Sequence, residues 1–264
     1  MSRQNYYARR KERQRRGVDE GLIVELVGRE RRLQPRLGGR KLHRMLGKEL
    51  AQAGVKTGRD RLFEVLGKCG LLLKRQRAKY PHTTNSQHSL PKFGNRIKDL
   101  ALSAANQVWV SDITYLRTLD GFLYLSLITD KWSRKIVGHH CGDSLEALGC
   151  LKALDLAVSA LPAGAHPIHH SDQGSQYCCH LYVDRLAKYN LPVSMTEKDH
   201  CAENALAERM NGVLKQEYGL GAEFMTKAEA MEAVEEGVWL YNNKRPHTAL
   251  GYRVPEHVHH RGLN

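Results

Sequence analysis

Three carboxylates stand at positions where this side chain requires an explanation. Asp112 interrupts the apolar run 108–115, and a buried carboxylate costs free energy unless it is paired, hydrogen-bonded or bound to a metal. Asp172 stands just past a predicted strand over 167–171, and 35 residues separate it from Glu208. Three carboxylates on three separate elements suit Mg²⁺, which prefers oxygen ligands and keeps several water molecules for substrate phosphates.

The alternative interpretation is that the three carboxylates are unrelated. In that case Asp172 begins a turn with Gly174, and Glu208 is a solvated residue of a helix. Each of these local explanations is ordinary by itself, so the sequence around the carboxylates has to decide between the two interpretations.

Four sequence motifs surround the carboxylates and span residues 106–257. They are 109–115 (WVSDITY), 170–177 (HSDQGSQY), 203–208 (ENALAE) and 241–252 (YNNKRPHTALGY). With these motifs the chain resembles the catalytic-frame transposase of two-frame bacterial insertion sequences, a group within the retroviral-integrase-like (DDE) superfamily. The resemblance implies a transposase that cleaves DNA at the ends of an insertion sequence and joins the exposed 3′-hydroxyl to another phosphodiester.

This chemistry assigns a role to each carboxylate. Phosphodiester transfer places a nucleophilic oxygen in line with a leaving oxygen, and two metal ions about 3.5–4 Å apart can stabilise both. We expect Asp112 to bridge the ions, Asp172 to bind one and Glu208 to bind the other. The expected cofactor is Mg²⁺, two ions per active site, with Mn²⁺ as a substitute. The attacking groups are water and then the DNA 3′-hydroxyl, so no Ser or Tyr nucleophile is predicted.

The elements that must position these carboxylates alternate between strands and helices. From residue 107 the side chains alternate with the period of a strand, and Asp120-Gly121 is typical of a hairpin turn. The patterns downstream predict strands over 122–129, 135–140, 167–171 and 192–196 and helices over 144–161, 180–189, 203–218 and 227–241.

This order of elements predicts an α/β fold with an RNase-H-like integrase core, in which a mixed five-stranded sheet is flanked by helices. In that fold the first and fourth strands lie side by side at the centre of the sheet. Asp112 and Asp172 thereby become neighbours, although 59 residues separate them. The helix after the fifth strand then delivers Glu208 to the same edge.

The basic charge of this 264-residue chain is concentrated in its N-terminal third. The formal charge is +13 and the pI is about 9.5. Residues 1–80 hold 23 Lys and Arg against 8 Asp and Glu, and the remainder holds 18 against 20. A basic block of this kind is typical of a surface that faces DNA phosphates. For residues 1–16 alone, a solvated and disordered arm is the alternative.

The cysteine and hydropathy patterns argue against several other classes of protein. The six Cys residues form no CxxC pair, so zinc-ligand spacing is absent and unpaired thiols in a reducing compartment are expected. No apolar run has the length of a membrane span, and the charged N-terminus lacks the apolar segment of a signal peptide. We therefore expect a cytoplasmic, nucleoid-associated bacterial protein without a membrane partner.

Four segments are predicted along the chain: a basic N-terminal arm and helix over 1–32, a helix-turn-helix-like DNA-binding domain over 33–79, a linker over 80–105, and the catalytic core over 106–264. In the first segment the apolar spacing predicts a helix over 19–32 only. In the second, two short helices flank the turn at Gly54 in a basic setting, which leaves Arg59, Arg61 and Lys68 available to DNA.

Four further residues are predicted to contact DNA. Asn211 and Lys215 share a helix face with Glu208, and the resemblance implies that Lys215 contacts the end of the element. Tyr177 lies in the predicted loop after the fourth strand, and Arg245 follows the last long helix. The alternatives are an ordinary solvated side chain for Lys215 and a structural role for Arg245.

The resemblance also implies partners, namely double-stranded DNA as element end and target, further copies of this chain on that DNA, and a protein from an upstream reading frame.

Two other functions are alternatives. A nuclease of the same fold that acts on RNA–DNA hybrids is disfavoured by the basic N-terminal third and by Lys215. A non-catalytic DNA-binding regulator is disfavoured because all three carboxylates are present.

Overall fold

The chain forms two compact units in a computed structural model that describes residues 3–74, 88–197 and 201–261. The units are residues 1–77 and 78–264. The predicted division at residue 32 and the predicted linker over 80–105 stay predictions. The first residues of that linker, 80–87, lie outside the described residues.

The described part of the N-terminal unit consists of three helices, α1 (Arg3–Leu33), α2 (Gly39–Gln52) and α3 (Arg59–Lys68). On α2, Leu42, Leu46 and Leu50 repeat at the spacing of one helix face, and all three are buried. They pack with Ile23 of α1 and Leu62 of α3 in one hydrophobic cluster. Burial of these apolar faces therefore holds all three helices together.

Helix α1 begins at Arg3, whereas the apolar spacing predicts a helix only from Asp19. Every residue from 3 to 18 is exposed, so no buried apolar face marks this half of the helix in the sequence. Its Arg, Lys, Gln, Glu and Ala residues are good helix formers. The predicted helix is thus correct in type and shorter than the helix in the structure.

A mixed sheet is the centre of the C-terminal unit. Its strands are β1 (Val108–Thr118), β2 (Gly121–Asp130), β3 (Ile136–Gly142), β4 (Ile168–Ser171), β5 (Val193–Met195) and β6 (Glu223–Phe224). The order is β3-β2-β1-β4-β5, and β6 pairs with β1. β1 is antiparallel to β2 and parallel to β4. The predicted adjacency of the first and fourth strands is confirmed, and β6 is an addition to the five predicted strands.

Helices cover both faces of this sheet. They are α4 (Ala147–Ser159), α5 (Ser175–Cys178), α6 (His180–Lys188), α7 (Ala205–Glu217), α8 (Lys227–Lys244) and α9 (Pro255–Arg261). On one face Ile128 of β2 packs in a cluster with Leu154 of α4. On the other face Leu127 packs in a cluster with Met210 of α7. Consecutive residues of β2 thus enter different layers, as the strand period requires.

No helix within the described ranges combines the length and the hydropathy that a membrane span requires.

Candidate active site

Asp112 lies in the middle of β1, opposite Leu127 of β2. Its Oδ1 accepts a hydrogen bond from the backbone N–H of Ile113 at 2.9 Å. Its Oδ2 accepts a second bond from the side-chain amide of Asn211 on α7 at 2.8 Å. The strand and the helix therefore fix the carboxylate from two sides.

The parallel pairing of β1 and β4 brings the second carboxylate to Asp112. The last pair of this ladder is Val110 with His170. Asp112 and Asp172 each lie two residues beyond that pair, and both line one pocket. The Asp172 Oδ1 accepts a hydrogen bond from the N–H of Gly174 at 3.0 Å. The turn considered as an alternative for Asp172 is thus present, and it coexists with a shared site.

A surface pocket of about 250 Å³ lies at the two aspartates. Its lining residues are Asp112, Ile113, Leu145, Asp172, Gly174, Gln176 and Tyr177. The pocket presents carboxylate oxygens and amide groups beside apolar walls, which gives a ligand both polar partners and partial exclusion of water.

Glu208 belongs to the first turn of α7 and is exposed. Two hydrogen bonds tie its helix to β1: the Asn204 side-chain amide donates to the Ser111 carbonyl at 3.0 Å, and Asn211 donates to Asp112. Asn204, Glu208 and Asn211 recur at helical spacing, so one face of α7 is turned towards β1. Glu208 therefore emerges from the helix face that carries the contacts to Asp112 and its neighbour.

The negative charge of the carboxylates at this site is only partly compensated by neighbouring groups. Burial and the charges of Asp172 and Glu208 together raise the pKa of Asp112 from 3.8 to about 7, against the opposite effect of the hydrogen bonds from the Ile113 N–H and Asn211. Both other predicted carboxylates thus act on Asp112. A cation placed among them would remove the repulsion.

The donor chemistry of these residues fits a hard divalent cation, although the donors are not yet assembled. Within the described ranges, no group of three or more His, Cys, Asp or Glu side chains is arranged to hold a metal ion. Asp112 and Asp172 converge and supply the oxygen ligands that Mg²⁺ prefers. Glu208 is exposed on α7 and is not part of the pocket lining, so its role as a third ligand stays a prediction.

Lys215 is buried rather than solvated, with 8% of its surface exposed. Its Nζ lies 4.2 Å from the centre of the Tyr115 ring, a distance typical of a cation–π contact. Burial and the charge of Arg117 lower the pKa of Lys215 to about 8, against the opposite effect of Asp112. The solvated alternative is therefore wrong, and the contact of Lys215 with DNA stays a prediction.

Tyr177 and Arg245 are also buried, with 3% and 5% of their surfaces exposed. Tyr177 packs in the cluster on the α4 side of the sheet. The Arg245 guanidinium donates to both carboxylate oxygens of Glu217, at 2.8 and 2.6 Å. This bidentate ion pair favours the structural alternative for Arg245, and neither residue presents its polar group on the surface.

The cations predicted on α3 are engaged in ion pairs within the N-terminal unit. Arg59 pairs with Asp60 at 2.8 Å, and Glu64 accepts from Arg61 at 2.7 Å and from Lys68 at 3.1 Å. Such exposed pairs contribute little stability, but DNA phosphates would have to compete with them. The contacts of α3 with DNA stay predictions.

His169 was not singled out from the sequence, yet it links three elements beside the aspartates. Its Nε2 lies 2.7 Å from the Ser111 Oγ on β1 and 2.9 Å from the Tyr182 hydroxyl on α6. Burial lowers the pKa of His169 to about 3, so the ring is neutral. The signal in the sequence was a His inside a short predicted strand, since a His buried there requires hydrogen-bond partners.

Two family models with the description Integrase core domain match the chain, one over residues 103–201 and the other over residues 189–255. Together they cover the sheet, the pocket and α7. The N-terminal unit lies outside both matches.

The matches to proteins with similar sequences cover more of the chain than the family models do. This chain is 36% identical to the insertion element IS600 uncharacterized 31 kDa protein of Shigella sonnei, over 97% of this chain and 93% of that protein. It is 34% identical to the transposase InsF for insertion sequence IS3A of Escherichia coli K12, over 74% of this chain and 68% of that protein.

Among solved structures, the chain is similar to a chain of the simian T-cell lymphotropic virus intasome, solved in complex with the PP2A regulatory subunit B56 gamma. The TM-score is 0.51 at 17% identity, over 84% of this chain and 74% of that chain. At this identity the likeness concerns the fold alone, and it agrees with the mixed sheet and flanking helices described above.

Proposed function

This chain belongs to the family of bacterial insertion-sequence transposases with an integrase core domain, and from that premise we propose how its residues carry out DNA transposition. The proposed reaction is cleavage of a DNA strand at the end of the element, followed by attack of the exposed 3′-hydroxyl on a second phosphodiester. Double-stranded DNA is both the substrate and the product of these steps.

Asp112, Asp172 and Glu208 are the proposed metal ligands and catalytic residues. Asp112 would be shared between two sites, with Asp172 at one and Glu208 at the other. When bound there, two Mg²⁺ ions would stabilise the attacking and the leaving oxygen of the displacement.

The other side chains of the site hold these ligands in place. The Ile113 N–H and the Asn211 amide each occupy one oxygen of Asp112, so the free lone pairs face the pocket. The Gly174 N–H fixes Asp172 at the end of β4. Because each aspartate is already oriented, little conformational entropy remains to be lost when a ligand binds.

The nucleophile is proposed to come from water and DNA rather than from the protein. Tyr177 is the residue of the pocket lining with a hydroxyl group. Burial raises the pKa of Tyr177 well above its ordinary value, so its hydroxyl is a poor source of an attacking oxyanion. Transfer through DNA hydroxyls then needs no covalent link between protein and DNA.

The observation that carries this proposal is the pocket lined by both Asp112 and Asp172, just beyond the paired part of β1 and β4. Asn204, which precedes α7, and Asn211 on α7 bind β1 beside it. The test is a strand-transfer assay with labelled element ends in the presence of Mg²⁺. Asp112→Asn is expected to abolish both cleavage and joining. Asp120→Asn, in the exposed hairpin turn, is the matched control and is expected to retain activity.

Two outcomes would contradict the proposal. Activity of Asp112→Asn equal to that of the unmodified chain would remove Asp112 from the chemistry. Hydrolysis of RNA–DNA hybrids without any joining of DNA ends would favour a nuclease of the same fold.

We also propose that several copies of the chain act together on the DNA ends and that a protein from an upstream frame assists them. The family relationship supports an oligomer on DNA. Sedimentation of the chain with and without paired element ends tests for it, and a monomer in both samples would contradict it.

A further inference from the structure

The first half of α1 is a helix that the rest of its unit does not cover. Every residue from 3 to 18 is exposed, and burial begins at Ile23. At 1.5 Å per residue, the exposed half is roughly 22 Å long. The unit therefore presents a helical surface whose length is about two-thirds of the pitch of a DNA duplex.

The charges of this half-helix are not distributed evenly. On a helical projection at 100° per residue, one side carries the residues that we call the α1 basic stripe: Arg3, Tyr6, Arg9, Arg10, Arg13 and Arg16. The opposite side carries Lys11 and Arg15 together with Gln4, Ala8 and Glu12. It therefore holds two cations and one carboxylate, against the five arginines of the stripe.

The central cations of the stripe lack internal partners. Within the described ranges, no carboxylate is at ion-pair distance from Arg9, Arg10 or Arg13, and Arg16 pairs with Glu12 at 2.6 Å on the exposed surface. The candidate cations of α3 differ in this respect, because Arg61 and Lys68 both bind Glu20 and Glu64. Phosphates would have to displace carboxylates on α3 but not at the centre of the stripe.

We propose that the α1 basic stripe, rather than α3, is the main phosphate-binding surface of the N-terminal unit and that its ligand is double-stranded DNA. The stripe is complementary in charge to DNA. It sets five guanidinium groups along one side of a helix, and DNA carries a negative charge about every 1.7 Å. Guanidinium groups also bind phosphate in a bidentate manner. The inference rests on the proposal that this chain acts on double-stranded DNA.

A ligand that neutralises the stripe would also stabilise the half-helix. Cations at i,i+3 and i,i+4, such as Arg9 and Arg13, repel each other and weaken an isolated helix. This half of α1 has no buried face to offset that repulsion. Phosphates along the stripe would neutralise it, so the ligand and the helix stabilise each other.

The test compares three double variants of the full chain, matched in the number of charges removed. They are Arg10→Gln/Arg13→Gln in the stripe, Lys11→Gln/Arg15→Gln off the stripe, and Arg61→Gln/Lys68→Gln on α3. Binding to a labelled 20-bp duplex is followed by fluorescence anisotropy between 0.05 and 0.3 M salt. EDTA is present throughout, so failure of the proposed metal chemistry leaves this measurement unaffected.

The stripe variant is expected to lose about ten-fold in affinity at 0.15 M salt, and its slope of log K against log[salt] is expected to fall by about 2. The two other variants are expected to lose less than three-fold, because charges more than about 8 Å from the phosphates are screened at this salt concentration.

Equal losses in the stripe and off-stripe variants would overturn the proposal, since they indicate an unspecific charge effect. A larger loss in the α3 variant would overturn it in favour of α3. Tighter binding to a 20-bp RNA duplex than to DNA would overturn the choice of ligand. Far-UV circular dichroism of each variant verifies that the fold is intact.

Discussion

The Asp112 carboxylate is ionised at a cost to the fold. Its pKa lies at about 7, against an ordinary 3.8, because of burial and the charges of Asp172 and Glu208. For a carboxyl group with a raised pKa, the ionised form destabilises the folded state. The penalty is complete above pH 7, shrinks as the pH falls from 7 towards 4, and disappears below that.

Asp112→Asn is therefore expected to stabilise the metal-free protein while it abolishes strand transfer. The gain in the free energy of unfolding should be about 1–3 kcal/mol at pH 8, smaller at pH 5, and absent near pH 3.5, because the variant has no charge to bury. Thermal unfolding in EDTA at the three pH values measures it. The exposed Asp120→Asn should change none of these values, and a variant at Asp112 less stable than the unmodified chain at pH 8 would contradict the account.

Helix α7 connects the candidate site to the sheet through its two Asn side chains. Asn204 binds the Ser111 carbonyl, and Asn211 binds the Asp112 carboxylate. The helix that carries Glu208 is thus aligned by the same groups that orient Asp112. A change at either Asn should affect the site through position rather than through chemistry.

Asn211→Ala is expected to raise the Mg²⁺ concentration needed for half-maximal strand transfer by about ten-fold, since a hydrogen bond to a charged group contributes about 1.5–3 kcal/mol. A Mg²⁺ titration of the strand-transfer assay measures this. Asn243→Ala is the control, because Asn243 makes its side-chain bond to Trp239 within α8. An unchanged Mg²⁺ requirement in Asn211→Ala would show that the bond to Asp112 has no positioning role.

The ends of α7 and α8 are joined by the Arg245–Glu217 pair, and this pair allows the two interpretations of Arg245 to be separated. Arg245→Ala removes both guanidinium bonds to Glu217 and is expected to cost about 3 kcal/mol of unfolding free energy. The double variant Arg245→Met/Glu217→Leu should recover most of that loss. Denaturant unfolding measures both, and an Arg245→Ala protein of normal stability that binds DNA poorly would instead support the phosphate contact.

The sequence predicted elements well where the pattern is local and less well where partners are distant. The alternation along β1 and the motifs around Asp112 and Asp172 predicted the paired strands, because strand period and short motifs are local signals. The pairing of Arg245 with Glu217 depends on packing between two helices, which spacing within one helix does not encode. β6 has two residues, too few for any periodicity.

The helical form of the exposed half of α1 was also not predicted from the sequence. Hydrophobic periodicity detects helices through their buried faces, and residues 3–18 have none. The basic composition predicted the ligand class of this segment but gave no information about its helical form. The proximity of Asp112 and Asp172 was thus accessible from sequence, while the bonds made by Asn211 and the arrangement of the stripe required coordinates.

At the scale of the whole molecule, the charge is divided between the two parts of the chain. Residues 1–80 hold 23 cations against 8 anions, and the remaining residues hold 18 against 20. Binding energy from phosphates should therefore come mainly from the N-terminal unit, and the acidic site in the C-terminal unit contributes little attraction to DNA without metal ions.

Affinity of the full chain for an arbitrary duplex is accordingly expected to fall steeply with salt, by about 10³-fold or more between 50 and 200 mM if six or more phosphates are contacted. Anisotropy titrations over that range measure the slope. Affinity that hardly changes with salt would remove the phosphate-binding role of residues 1–80.

The order of the elements has a consequence for synthesis on the ribosome. Helices α1–α3 precede the sheet, β1 carries Asp112, and Glu208 arrives only with α7. A nascent chain therefore completes its basic unit long before its three carboxylates can meet, since domains generally form as they emerge. On the roles proposed above, the unfinished protein would bind DNA during that interval and would not yet be able to cut it.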